Sequence, residues 1–360
     1  MDPTTDSVEK LTLIDTIEEL RYYLKEAIVL EHATLPPYIT ALYSIKPGTN
    51  LDAFNIIRIV AIEEMLHLTL SANVLNAVGG TPSLTFPGFS PNYPAYLPNG
   101  ETDFQVDLVR FSEEAVDLFL QIERPMIAQP AQRLVKRARH PDSLSPKLHS
   151  HDTELHFYNI GEFYEEIIRG LDRLHEKLGD DLFCGDPKRQ ITPEYYYSGG
   201  GEIIPVTDIH SAKAALNLII EQGEGHGGSI EDDEGEISHY HRFLQLKNRQ
   251  YYVQGDDQDN PTGEPLTVDW DAVYPIKTNA KLADYGSENS ELYKAAKEFN
   301  TVYFNFLQQL EFAFNGRPEV LIPAVVSMFR LRDQASAIMR NPFPGAEGLN
   351  AAPTFEINPA

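Results

Sequence analysis

A chain of 360 residues with 54 acidic against 29 basic side chains carries a formal net charge of -25. That excess repels phosphates, so nucleic acid and anionic membranes are excluded as expected partners. The 42% hydrophobic and 23% charged composition is globular, and the length suits one large or two ordinary domains. The single Cys184 allows no intrachain disulfide. No signal-peptide pattern opens the chain and no apolar run reaches the length of a membrane span, so the expectation is a soluble, cytoplasmic protein.

Residues 1–14 read as a loose end. Asp15 with Glu18 marks the start of a helix running to about Tyr43, with Ile17, Leu20, Leu24, Ala27, Ile28 and Leu35 on one face. Glu31 falls on that apolar face, and Pro36-Pro37 predicts a kink or break just after it. A second helix spans Asn50 to Gly80, with Asn50 as its cap and Gly79-Gly80 followed by Pro82 as its stop. Its apolar stripe takes in Glu64 and His67. Residues 81–110 form a long Pro- and Tyr-rich loop, and a helix runs from Ser112 to near Glu123. After a loop at 139–152, a third long helix covers Thr153 to Leu178, with Glu162 opposite its main apolar face. Residues 179–209 form a second long loop containing Tyr195 to Tyr197 and a flexible Gly199 to Gly201. The fourth helix is split: Ser211 to Gln222 is apolar on most sides, a Gly-rich acidic stretch interrupts it, and helical spacing resumes at Glu236. Residues 251–290 read as a linker, followed by amphipathic helices over 288–315 and 317–340. The expected architecture is all-α: a four-helix bundle over 1–250 with long loop insertions, and a helical extension over 251–360 packed on it.

Glu64 and His67, three apart on an inward face, point the same way. Burying such groups without a partner costs on the order of 2–7 kcal/mol each, and a metal ion is an economical partner. Glu-x-x-His on an inward helix face is the ligand unit of ferritin-like di-iron and di-manganese bundles. Glu31 lies 33 residues before Glu64, a separation that two antiparallel helices with a short loop bring to one height. Glu236 and His239 repeat the unit, with Glu221 and Glu224 as further carboxylates before the interruption. For the third helix Glu162 is the choice, with Glu166 and Glu123 as rivals. Glu63 lies off the stripe and reads as facing solvent or backing a ligand. His32 reads as meeting a neighbour, and His151, His156, His226 and His241 as surface or structural. The acidic run Glu231 to Glu236 fails the calcium-loop pattern. No zinc-protease helix, phosphate-cradling glycine loop or nucleophile elbow is present.

Taken together, these residues resemble the ferritin-like family related to iminophenyl-pyruvate dimer synthase, the VioB-type enzymes of bisindole pigment pathways. The likeness is carried by Leu30 to Tyr38, Glu63 to His67, Ile160 to Tyr164, Glu221 to Gly225, Ser238 to Tyr240 and the tail Ala352 to Glu356. It covers about 16–356 and supports Glu162 and Glu221 where periodicity does not.

The resemblance implies a di-iron carboxylate oxidase or oxygenase, with manganese compatible with the same ligands. Glu31, Glu64, His67, Glu162, Glu221 and His239 would bind metal, with Glu236 and Glu224 as alternates. The expected partners are O₂ and a small aromatic or amino-acid-derived substrate, and a second copy of the chain is a further candidate. Loops 81–110 and 179–209 would roof the substrate pocket. Iron handling and a non-catalytic metal-binding bundle are the alternative readings.

Overall fold

Thr16, one residue past the expected start, caps the first helix in the computed structural model, which describes residues 14–99, 103–125, 135–138, 153–157, 159–197, 199–225, 228–231, 235–287 and 290–357. Residues 1–13 of the expected loose end, His226 and the whole loop at 139–152 with His151 lie outside this set, as do 232–234 of the acidic run and the side chain of His156. The Thr16 hydroxyl accepts from the Glu19 backbone N–H at 3.2 Å, and the Glu19 carboxylate takes the Thr16 N–H at 3.0 Å, a reciprocal capping box.

Helix α1 then runs Ile17–Ser44 without interruption through Pro36 and Pro37, so the expected break does not occur. Two prolines remove two N–H donors and free the carbonyls of His32 and Ala33. The Ala33 carbonyl accepts from the Tyr93 hydroxyl at 2.7 Å. A residue of the long loop after the second helix thus replaces one of the lost bonds.

Helix α2, Leu51–Ala77, pairs with α1. Asn50 does not cap it by side chain. It sits in the left-handed region at φ 45°, and its amide clamps the backbone of Asp269, donating at 2.8 Å and accepting at 2.7 Å. Helix α3, Glu113–Ile122, starts where expected, with the Ser112 hydroxyl taking the Ala115 N–H. A small antiparallel hairpin follows, β1 (Val135–Ala138) with β2 (Thr153–His156), Val135 opposite His156. Because 153–156 pair as a strand, helix α4 begins only at Ile160 and ends at Leu178, capped by Asn159. Helix α5 is Ile209–Glu224, with Asp208 and Ser211 forming its capping box, and α6 is His239–Asn248. Glu236 precedes the start of α6, so it is not on one helical turn with His239 as the spacing had implied.

The contacts arrange these pieces as four rods. Helices α4 and α5 pair with each other, and α3 pairs with α6, both pairs lying against α1 and α2. Tyr164 of α4 reaches Glu31 in the middle of α1, while Phe119 of α3 packs on Tyr38 about two turns further along. The third rod is therefore α3 followed by α4, the fourth α5 followed by α6, and both are broken near mid-height. Tyr38, Phe119, Phe163, Tyr164 and Phe243 fill the interior around that level. Helices α7 (Glu291–Phe314) and α8 (Leu321–Met339) form a second pair on the outer side of α1 and α2.

Candidate metal centre

The breaks in the two outer rods leave helix ends facing the centre of α1 and α2. Glu123 closes the C-terminus of α3, Gln222 and Glu224 lie in the last turn of α5, and His239 opens α6. Across from them stand Glu31 of α1 and Glu63, Glu64 and His67 of α2, all buried.

Two imidazoles organise the cluster. Their rings stack at 5.3 Å, and each is gripped at Nε2. His67 Nε2 donates to Gln222 Oε1 at 2.9 Å, and Gln222 Nε2 donates in turn to the Gly200 carbonyl at 2.9 Å. His239 Nε2 donates to Glu63 Oε2 at 2.9 Å. In the neutral ring that binds a cation, a nitrogen held as a donor leaves the other as a lone pair. His67 Nδ1 then faces Glu31 Oε2 at 3.4 Å and Glu64 Oε1 at 3.9 Å. His239 Nδ1 faces Glu64 Oε1 at 2.9 Å and Glu123 Oε2 at 3.7 Å, yet has no hydrogen-bond partner among the described residues. Lone pairs facing carboxylate oxygens repel unless a proton or a metal cation lies between them. Donor atoms of Glu64, His67 and His239 lie within 4.8 Å of one another, a spread that an ion with ligands at about 2.0–2.2 Å gathers by small side-chain rotations.

The far oxygens of the carboxylates are held too. Tyr164 donates to Glu31 Oε1, Tyr38 donates to Glu123 Oε1, and the Thr34 hydroxyl donates to Glu64 Oε2 at 2.7 Å. Hydroxyl donors on one oxygen leave the other free to bind a cation.

The electrostatics carry the same message. Burial pushes the Glu31 carboxyl up to about 7, against the pull of the Tyr164 hydroxyl. Burial and then the Glu31 charge raise Glu64, and burial and then the Glu64 charge raise Glu123. Burial lowers His67. Burial also opposes the charge on His239, but the carboxylates of Glu123, Glu63 and Glu64 outweigh it and hold that imidazole well above its usual range. Acids grouped away from water need positive charge among them. Without a metal ion, protons take that place; a divalent cation fits the same position, and the donor set of carboxylates and imidazoles is the one such bundles use.

Residues 24–248 match the ferritin-like family. The chain belongs to that family. A curated relative, dichlorochromopyrrolate synthase of Lentzea aerocolonigenes, is 27% identical over 325 residues, which are 83% of this chain and 29% of the relative. The ferritin-like chain thus spans less than a third of that relative's length. A crystal structure of a ferritin-like protein from Caulobacter vibrioides superposes with a TM-score of 0.63 at 22% identity, covering 95% of this chain and 99% of that one. It supports the fold.

Within this ferritin-like bundle, Glu31, Glu64, His67 and His239 converge. The other residues named from the sequence lie as follows. Glu162 is half-buried in the first turn of α4, and Glu221 is half-buried in α5. Glu224 is buried with its carboxylate against Gly161, where an added Cβ would come within 1.6 Å of Oε1. Glu236 is exposed and pairs with Arg242 at 2.8 Å. Glu166 is tied to Arg169 and Arg173. Glu123, a rival to Glu162 for the third helix, is the one whose carboxylate reaches His239. Glu63 is buried behind His239. Gln222 carried no ligand signal in the sequence. The loop expected to be flexible at Gly199 to Gly201 is pressed on α2: Gly200 has φ +79°, and a Cβ there would lie 3.0 Å from Glu63 Cα. Glycine is what lets its carbonyl reach Gln222. No helix among the described residues is long and apolar enough to cross a membrane.

Proposed function

We propose that the chain is a di-iron carboxylate oxidase or oxygenase that uses O₂ to oxidise a small aromatic or amino-acid-derived molecule in the cytoplasm. The observation that supports it most is the pair of imidazoles gripped at Nε2 and turned by Nδ1 onto the carboxylates of Glu31, Glu64 and Glu123. Glu31, Glu64, His67, Glu123 and His239 would hold the ions. Bound iron would supply the redox chemistry with O₂.

The chain's own residues set the conditions. Gln222 and Glu63 fix the ring orientations, and Tyr38, Tyr164 and Thr34 hold the carboxylates. Phe119, Phe163 and Phe243 keep bulk water from the interior, which strengthens every charge interaction in it. The loop carrying Tyr196 and Tyr197 lies on α2 beside Glu63 through Gly200, in keeping with a roof over the site. The substrate class draws on the synthase relative, whose product name contains a pyrrole ring.

Elemental analysis of freshly purified protein tests the reading, with about two iron ions per chain expected. Glu64→Ala and His67→Ala should lose metal while keeping their far-UV circular dichroism. Oxygen consumption with L-tryptophan, L-phenylalanine and their 2-oxo acids then tests the oxidase activity. Protein free of iron and manganese sinks the metal reading; iron taken up far beyond two ions, without oxidation of these compounds, moves the assignment to iron handling.

A further inference from the structure

A second space lies between the α1–α2 pair and the α7–α8 pair. It is a cavity of about 60 Å³, bounded by Leu35 and Ile39 of α1, Leu68 of α2, Leu307 of α7, and Val325 and Met328 of α8. It is distinct from the donor cluster: His32, Met65 and Leu68 on its wall each follow a cluster residue by one position, and one step turns a helix by about 100°.

Among the described residues, no charged side chain lines it. Of its polar groups, Thr69 and the His32–Tyr303 pair are bonded, whereas the Tyr197 hydroxyl and His32 Nδ1 have no hydrogen-bond partner among the described residues. Thr69 donates to the Met65 carbonyl at 2.8 Å, and His32 and Tyr303 are bonded to each other. One water needs roughly 10–15 Å³ and an apolar cavity that takes benzene is about 150 Å³, so the space exceeds several waters and admits a ring only as the half-buried middle of α8 moves outward.

Helix α8 spans this space without filling it. Leu321 and Ala324 bury one end, and Ala335, Ile338 and Met339 bury the other, but no residue from 325 to 334 is buried. Val325, Met328 and Leu331 line the cavity from inside. On the outer face Ile322, Val326 and Phe329 are 45%, 60% and 58% exposed. A helix apolar on both faces is normally enclosed, and protein interiors normally close such gaps. This helix is pinned at its ends over an underfilled chamber.

We propose that the chamber is a binding site for an uncharged one- or two-ring aromatic molecule, entering beneath the middle of α8. Phe299, Phe306 and Phe314 offer ring edges and faces, and Met65 and Met328 offer adaptable thioethers. A charged guest would lose its hydration without gaining an oppositely charged partner. The site stands whether or not the donor cluster holds metal.

Calorimetric titration of the full chain with benzene and with indole tests it, with indole-3-acetate as the charged control. Benzene and indole should bind and raise the melting temperature, and indole-3-acetate should bind at least about tenfold more weakly. Val325→Trp, at a half-buried position, should weaken indole at least about tenfold with metal content unchanged. Met328→Ala enlarges the chamber and should admit naphthalene more tightly than the parent does. Failure of benzene and indole to bind up to their solubility overturns the proposal. So does indole binding unchanged in a folded Val325→Trp protein, or naphthalene binding unchanged in Met328→Ala.

Discussion

Glu63 and Glu64, neighbours on α2, touch opposite edges of one imidazole: Glu63 Oε2 lies 2.9 Å from His239 Nε2, and Glu64 Oε1 lies 2.9 Å from His239 Nδ1. The first contact fixes the tautomer that the second uses. Glu63→Ala should therefore keep every inner donor in place and still cost about 10–100-fold in metal affinity. Chelator competition measures this, with circular dichroism reporting the fold. Affinity equal to the parent's would assign Glu63 a packing role instead.

Metal loading should release protons and strengthen as pH rises. Glu31 titrates near 7, and Glu64 and Glu123 are raised above the ordinary carboxylate range by burial first and by each other's company second. His239 is held protonated by the surrounding acids. Each must lose its proton to bind a cation, so between pH 6 and 8 the apparent affinity for Mn²⁺ should climb. Titration calorimetry in buffers of different ionisation enthalpy counts the protons. Affinity flat across that range would mean the ion binds elsewhere.

How much of this site could be read in advance follows from where each residue stands. Glu31, Glu64 and His67 were legible because long uninterrupted helices impose a period that polar residues visibly break. His239 was legible too, though through a spacing to Glu236 that the structure does not realise on a helix. Glu63 was ambiguous because α2 is buried on nearly every side from Ala61 to Ala77, so periodicity loses the contrast between inside and outside. Glu123 and Gln222 stand at helix ends, where the rods are broken and pattern stops informing. The continuity of α1 through two prolines was illegible because its cure, Tyr93, comes from a loop with no periodicity.

That cure is testable. Tyr93→Phe keeps the ring but leaves the Ala33 carbonyl, freed by Pro37, without the donor it now has at 2.7 Å. The site is buried, so the expected loss is about 1–3 kcal/mol of unfolding free energy. Because Thr34 follows Ala33 directly and Tyr38 lies within about a turn and a half of it, metal affinity should fall as well. Urea denaturation measures the first effect and chelator competition the second. A variant as stable as the parent would show that the carbonyl is satisfied by another route.

His32 offers a pH test away from the donor atoms. Burial holds its folded pKa near 3, against a slight upward pull from the Phe89 backbone, while the unfolded value is 6.5. Between these values the unfolded chain binds the extra proton, so this group's contribution favours folding above 6.5 and is lost as pH falls toward 3. At pH 5 the loss is about 2 kcal/mol. His32→Gln keeps a polar partner for Tyr303 but cannot take up the proton. Whatever the variant costs at pH 7, its deficit relative to the parent should shrink by about 2 kcal/mol at pH 5. Groups that titrate alike in both proteins cancel in this difference. Urea midpoints at pH 5, 6 and 7 give the result; a deficit that stays constant would mean His32 is protonated in the folded state, and the chamber beside α7 would then be charged rather than neutral.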